Sequence, residues 1–382
     1  MISLFSKNTM PWVLPMGLRF KEDWSEVENR FSAWWEGELR EPLIQIIASR
    51  KGRLEDLFWR DSWGFAKDPH HPERTIQSFM KWCNNVLFLG DAYPNLWVNL
   101  GPGIMAGYLG AKVVVREDTV WFGASADENE ARDWEDVIEM LYFNDKSFWW
   151  NVTLKITEAC LVHGVGSYIT GLTDLGGIHD ILASLRGMLN LLKDLHLNPS
   201  KVEEASWKIL DLWHIYYERL YHLCQQHMRG TSAWMGLWSP KRWYPIQCDF
   251  SALISPKHFK RFVLPIIAEQ CERLDHIIYH LDGPGEIPHL DYLLKVDNLH
   301  GIQWVPGARM DAVGKHCGSE YWLPMYRKIL KAGKRLVIAV PYSHVISILR
   351  ALPTTRGVLI QTMCVDRSRA EELLEHAKSI AH

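Results

Sequence analysis

Residues 276–285 read HIIYHLDGPG: an apolar strand that ends in a histidine, a carboxylate and a Gly-Pro-Gly corner. Alternate residues of a strand share a face, so a His280 that points inward carries Asp282 with it toward the strand's C-terminal end. The same beat recurs on both sides. Before it, Pro256–Arg273 has helical spacing behind Ser255 as N-cap. After it come a short helix at Leu290–Lys295, the strand Gly301–Val305 (GIQWV) and a helix at Tyr321–Ala332. The strand Arg335–Val340, the helix His344–Leu352, the strand Gly357–Thr362 and a closing helix at Arg369–Ile380 complete the run. Short apolar strands separated by amphipathic helices imply a parallel sheet clothed in helices.

Toward the N-terminus the alternation continues, with a helix at Phe20–Gly37, a buried strand at Pro42–Ser49, strand-like Ser167–Thr173, helices at Ile178–Leu195 and Lys201–Arg229, and strand-like Ser232–Leu237. Polar or Gly/Pro corners follow the strands at Thr173–Asp174, His280–Asp282, Trp304–Gly307 and Met363–Cys364, and no Gly-x-Gly-x-x-Gly turn follows the first. Functional groups spread over many strand ends are what a (β/α)8 barrel requires. The expectation is therefore one α/β domain over residues 1–382, a (β/α)8 TIM-type barrel with residues 1–41 as an N-terminal helical extension. Between Leu96 and Phe122 two strand-like runs, LWVNL and VVVREDTVWF, compete for one place in the barrel, the other being an inserted hairpin.

Composition narrows the function classes. The 382 residues are 47% hydrophobic and 23% charged, enough apolar surface for a core and too little charge for disorder. A net charge of −3 with no basic stretch argues against nucleic acid. No long uncharged apolar run argues for a membrane span, and Met1–Arg19 has no signal-peptide pattern, so a cytoplasmic protein is expected. Seven scattered cysteines read as reduced thiols. Tryptophan is the outlier, at 19 residues. Trp238, Trp243 and Trp304, near strand ends, are candidates to wall a ring-shaped substrate, core packing being the alternative.

Cys364 ends the last strand as His280 ends an earlier one. Imidazole and thiolate at one barrel mouth suit Zn²⁺, which takes nitrogen and sulfur ligands and keeps a position open when catalytic. Asp174 closes the strand before Leu-Gly-Gly, placed to bind a substrate hydroxyl, to orient a ligand or to cap the helix that begins near Ile178.

The motif order Cys248–Pro265 (CDFSALISPKHFKRFVLP), then YHLDGPG, GIQWVPG and GVLIQTMC, resembles the uroporphyrinogen decarboxylase superfamily, which includes corrinoid and coenzyme M methyltransferases. The resemblance covers roughly residues 168–376; RFSAWWEGE, NLGPG and DTVWF in the N-terminal third resemble a poorly characterised subgroup. It implies the (β/α)8 barrel. True decarboxylases carry an Arg-rich N-terminal segment for the substrate propionates; PWVLPMGLRF has only Arg19, which points to the methyltransferase branch. The zinc enzymes of that branch carry His-x-Cys on the sixth strand and a second Cys on the last. Here His280 and Cys364 fill two places and Asp282 stands for the first cysteine, with Cys248 or Asp249 available to complete the set. The implied activity is zinc-dependent transfer of a methyl group between a small methylated compound and a corrinoid (cobalamin) on a partner protein. The alternative is a metal-free lyase, or a binding protein for a sugar-like ring, with Asp249, Asp282 and His280 as acid, base and hydrogen-bonding groups.

Overall fold

The computed structural model describes residues 17–125 and 127–380. Its thirteen strands are β1 (Leu43–Ser49), β2 (Val86–Gly90), β3 (Asn95–Trp97), β4 (Val113–Val115), β5 (Val120–Phe122), β6 (Ile169–Gly171), β7 (Thr231–Ser232), β8 (Trp238–Ser239), β9 (Trp243–Gln247), β10 (His276–Asp282), β11 (Gly301–Val305), β12 (Arg335–Ala339) and β13 (Val358–Cys364). Seven form the central sheet in the order β2-β1-β13-β12-β11-β10-β9. All neighbours in it are parallel except β2, which runs antiparallel to β1. The architecture is α/β with a mostly parallel sheet, and each parallel strand presents its C-terminal end to the same side.

A second parallel pair, β3 with β6, stands apart from this sheet and extends through a single bridge between Leu172 and Ala233. Among the described residues the hydrogen-bonded sheet therefore runs from β2 to β9 without closing into the continuous ring expected of a barrel. Two details account for this. Ser232–Leu237, read as a full strand, contributes only Ser232 to β7 (Thr231–Ser232) before the chain turns back into antiparallel β8. The strand next to β10 is instead WYPIQ of β9, whose central Pro245 has no N–H to give. Within Leu96–Phe122, only Leu96 and Trp97 of LWVNL fall in a strand, β3, which pairs with β6, while β4 and β5 of VVVREDTVWF form an antiparallel hairpin.

Of the expected N-terminal extension, residues 1–16 lie outside the described residues; the helix α1 (Trp24–Glu36) packs under the sheet. Trp34 and Trp35 are buried there. The Trp35 ring stacks on His276 at 4.4 Å, and the Arg335 guanidinium donates to the carbonyls of Trp34 and Trp35. The N-terminal ends of β10 and β12 are thereby sealed by aromatic surface, and open space remains at their C-terminal ends. No helix among the described residues is long and apolar enough to cross a membrane. All seven cysteines are buried and unpaired, as expected of reduced thiols.

Candidate functional site

The C-terminal end of β10 and the turn after β9 bring Asp249, His280 and Asp282 together. One ligand atom from each lies within 4.8 Å of the others. Strand alternation places His280 and Asp282 on one face, as expected, while Tyr279 and Leu281, on either side of His280, are fully buried. Asp249 arrives from the neighbouring strand because register pairs Gln247 with His280, and the chain turns two residues later.

His280 is oriented on two sides. Its Nδ1 donates to Gln303 Oε1 at 2.6 Å across the β10–β11 pair, and the Trp234 ring meets it edge-on at 5.1 Å. A proton committed at Nδ1 leaves Nε2 with its lone pair free, the arrangement found in metal-bound imidazoles. Asp249 is held through its backbone. Half-buried Asp180, on the helix Ile178–Arg186, accepts the N–H groups of Asp249 and Phe250 at 3.1 and 2.7 Å.

Acidic groups crowd this corner. Asp249 keeps an exposed surface, but the crowding of its carboxyl against neighbouring atoms raises it, the Asp282 charge adds to that, and His280 opposes it. Asp180 is raised by burial and by Asp249. Glu286 is driven well above the carboxylate range by burial; its Oε2 accepts from Tyr279 at 3.0 Å, and its Oε1 is buried without a partner. Asp174 is pushed up to about 7 by burial, although its Oδ1 accepts the Gly176 N–H at 2.8 Å. It does not cap the helix after it, whose cap is Gly177. Close packing of the β3 and β6 loops buries Asp174. Gly103 and Gly176 both have positive φ, and a Cβ on Gly176 would come within 2.6 Å of the Gly103 Cα.

Two imidazole-adjacent carboxylates, a free Nε2 and a surplus of acid over base fit a divalent cation. The donor set differs from the expected one in having no sulfur. Cys364 lies outside the cluster: Gln361 and Met363 face the cavity of the sheet, so alternation turns Cys364 the other way, where its thiol donates to Asp366 O at 3.1 Å. Cys248 is also outside it, buried beside Asp180 and Glu286, which together with burial hold its thiol well above the usual range. Neither sulfur is presented as a thiolate.

Beside the triad, with Val305 next to Asp282 in register, lies a cavity of about 760 Å³. Phe88, Ile47 and Met363 stand abreast on β2, β1 and β13, with Gly90, Gln45 and Gln361 in the next row down. The tryptophans expected to wall it do not. Trp238, Trp243 and Trp304 are all buried core residues: Trp238 donates to Arg229 O and sets its edge against Trp24, and Trp304 packs on Trp322. The tryptophan that lines the cavity is Trp82.

What the sequence reading missed has a common signature. β1, β9, β11 and β13 each carry a single glutamine within an apolar run, at Gln45, Gln247, Gln303 and Gln361. An amide buried in a parallel strand must find partners inside. Gln45 donates to Asp91 O and Gly236 O, and Gln361 donates to Gln45 Oε1 and Met235 O. Four solitary glutamines therefore marked the inward face of the sheet, and Gln303 marked the partner of His280.

No protein-family model and no curated protein matches the chain. Among solved structures it resembles a methyltransferase from Methanosarcina mazei, with a TM-score of 0.55 at 12% identity over 93% of this chain and 99% of that one. A likeness at this identity is a likeness of fold.

Proposed function

We propose that the chain is a methyltransferase built on a (β/α)8 barrel, binding a zinc ion through Asp249, His280 and Asp282 and passing a methyl group between a small methylated compound and a corrinoid carried by a partner protein. The observation that carries this reading is the triad itself, at strand ends beside an apolar cavity. The structural resemblance to a methyltransferase supports it. In the barrel reading, side chains bridge a gap in the ring: Tyr244 OH on β9 donates to Thr173 O at 2.6 Å and accepts from Leu175 N at 2.7 Å, just after β6.

When bound, zinc supplies positive charge to the heteroatom that loses its methyl group. The residues of the chain do the rest. Gln303 fixes the His280 tautomer, and Asp180 holds the turn that presents Asp249. Asp174, titrating near neutrality, is suited to hold or release a proton at the leaving group. The apolar row of Phe88, Ile47 and Met363 keeps water from the methyl carbon. The heteroatom keeps the bonding pair as the methyl leaves, and a cobalt(I) acceptor contributes two electrons to the new carbon–cobalt bond.

The test mixes zinc-loaded protein with cob(I)alamin and a panel of methylated amines, methoxyarenes and methyl thiols, following methylcobalamin by its visible spectrum. Methylation by wild type that is lost in His280→Ala supports the proposal. No reaction with any substrate in protein of confirmed metal content overturns it and favours the metal-free lyase.

A further inference from the structure

The cavity beside the triad has a chemical sign. Trp82 and Phe88 meet edge to face, 5.7 Å between centroids and 81° apart, so they offer two nearly perpendicular aromatic walls. The Trp82 indole is pinned by its Nε1, which donates to Asp56 O at 2.9 Å. Tyr93 adds a third ring to the lining, fixed through its hydroxyl at 2.8 Å from Ser232 Oγ. Next to Phe88 and Ile47 in register, Met363 leaves 45% of its surface uncovered.

The polar groups are as one-sided as the walls. Among the described residues no lysine or arginine lines the cavity, and a carboxylate, Asp311, stands at its rim. The amide N–H groups of Gln45 and Gln361 are spent on protein carbonyls and on each other, which leaves Gln361 Oε1 as an acceptor. Asp249 and Asp282 stand next door, their charge offset when they hold a divalent cation, so the acidic character of the cavity itself rests on Asp311. An anion would enter against this field with only the half-buried imidazole of His316 among the lining groups to meet it. A methylated ammonium ion is favoured twice, by the acidic surroundings and by the ring faces, whose quadrupoles attract a cation that carries its charge on apolar methyl groups.

We propose that this cavity binds a quaternary or tertiary methylammonium group, caged by Trp82, Phe88 and Tyr93 with Met363 alongside. The proposal deepens the methyl-transfer reading by giving the substrate a cationic anchor; because an ammonium nitrogen has no lone pair for zinc, the methyl would leave another heteroatom of that substrate, and the cage is tested by binding alone.

Choline and its uncharged isostere 3,3-dimethyl-1-butanol are titrated into the full chain by calorimetry at neutral pH and low salt, with benzoate as the anionic probe. The expected result is choline binding at least tenfold tighter than the alcohol and no binding of benzoate. Trp82→Leu is expected to weaken choline about tenfold, with Trp82→Phe restoring most of the loss. Asp311→Asn, at the exposed rim, covers the case in which the Trp82 variants fail to fold, and is expected to weaken choline and leave the alcohol unchanged. His280→Ala, which would end metal binding and methyl transfer, keeps the preference for choline, so a failed methyl-transfer reading is told apart from a failed cage. Equal binding of choline and the alcohol, preference for benzoate, or no binding of choline overturns the proposal.

Discussion

His280 Nδ1 donates to Gln303 Oε1 at 2.6 Å, across two neighbouring parallel strands whose register sets the residues side by side. This bond selects the tautomer in which Nε2 is the free ligand atom. Gln303→Leu removes the acceptor and lets the ring turn and change tautomer. Zinc affinity is expected to fall by roughly 10–100-fold, the usual cost of losing an outer partner of a metal-bound histidine. Gln303→Glu keeps an acceptor there and should hold affinity near wild type. Competitive titration against a chromophoric chelator measures both, and an unchanged affinity in Gln303→Leu would remove the glutamine from the site.

Metal binding should weaken with acid earlier than an ordinary carboxylate site would. A proton and a metal compete for Asp249, whose carboxyl is raised by crowding against neighbouring atoms and by Asp282 although the residue keeps an exposed surface. Affinity is therefore expected to rise with pH through a range above that of an isolated aspartate. Zinc retention after dialysis across pH 4.5–8 reads this directly. A site that stays loaded down to the exposed-carboxylate range contradicts the acidic crowding seen around the triad.

Much of this arrangement was legible in HIIYHLDGPG, because a histidine and a carboxylate two apart on an apolar strand share a face wherever that strand lies. The third member was harder to place. Asp249 reaches the triad through β9, which Pro245 disguises, and its turn is held by Asp180, which looks like an ordinary residue of a helix's first turn. Cys364 misled for a reason of parity: Gln361 and Met363 already occupy the inward face of β13, so the thiol one residue on must face the helices. The tryptophans misled by size. A large ring near a strand end fills the space between sheet and helices at least as readily as it faces a cavity.

At the opposite end of the sheet, His276 and His300 lie 5.1 Å apart beside Trp35, with burial holding them down to about 3 and about 4. The nearby Arg335 charge acts in the same direction on both. Each is neutral when folded, whereas the unfolded chain binds a proton below the ordinary histidine value. Their contribution to stability is full above about pH 6.5 and declines as pH falls toward 3. Each costs up to about 1.4 kcal/mol per pH unit in that window. Urea unfolding at pH 7 and pH 5 should show the drop, and His276→Gln should flatten it. An equal slope in wild type and variant would place the acid sensitivity elsewhere.

Asp174 carries the opposite sign. Burial raises its folded pKa to about 7, so the folded chain holds a proton that the unfolded chain has released above about 4. Stability from this group is lost as pH rises between those values. Asp174→Asn keeps an acceptor for the Gly176 N–H and should stabilise the metal-free protein at pH 8 by roughly 1–4 kcal/mol, at about 1.4 kcal/mol per pKa unit. At pH 4 the gain should vanish, and methyl transfer should fall in the same variant if the carboxyl handles the proton. Denaturant midpoints at the two pH values decide the stability half.

The ligand assignment divides two chemistries by single substitutions. If a thiolate held the metal, Cys364→Ser would release it, because a serine hydroxyl is a poor substitute for a sulfur donor. The structure turns that thiol toward Asp366 O and gives the place to Asp249. Cys364→Ser is therefore expected to retain one zinc per chain, while Asp249→Asn and Asp282→Asn each lower the affinity at least tenfold and His280→Ala abolishes stoichiometric binding. The carboxylate set is also harder than a thiolate one, so Mn²⁺ and Fe²⁺ should compete with zinc more effectively than at a cysteine site. Cobalt substitution supplies a spectroscopic check: oxygen and nitrogen donors give no intense thiolate-to-cobalt charge-transfer band in the near ultraviolet. Such a band in wild type, disappearing in Cys364→Ser, would return the cysteine to the metal and displace Asp249 from it.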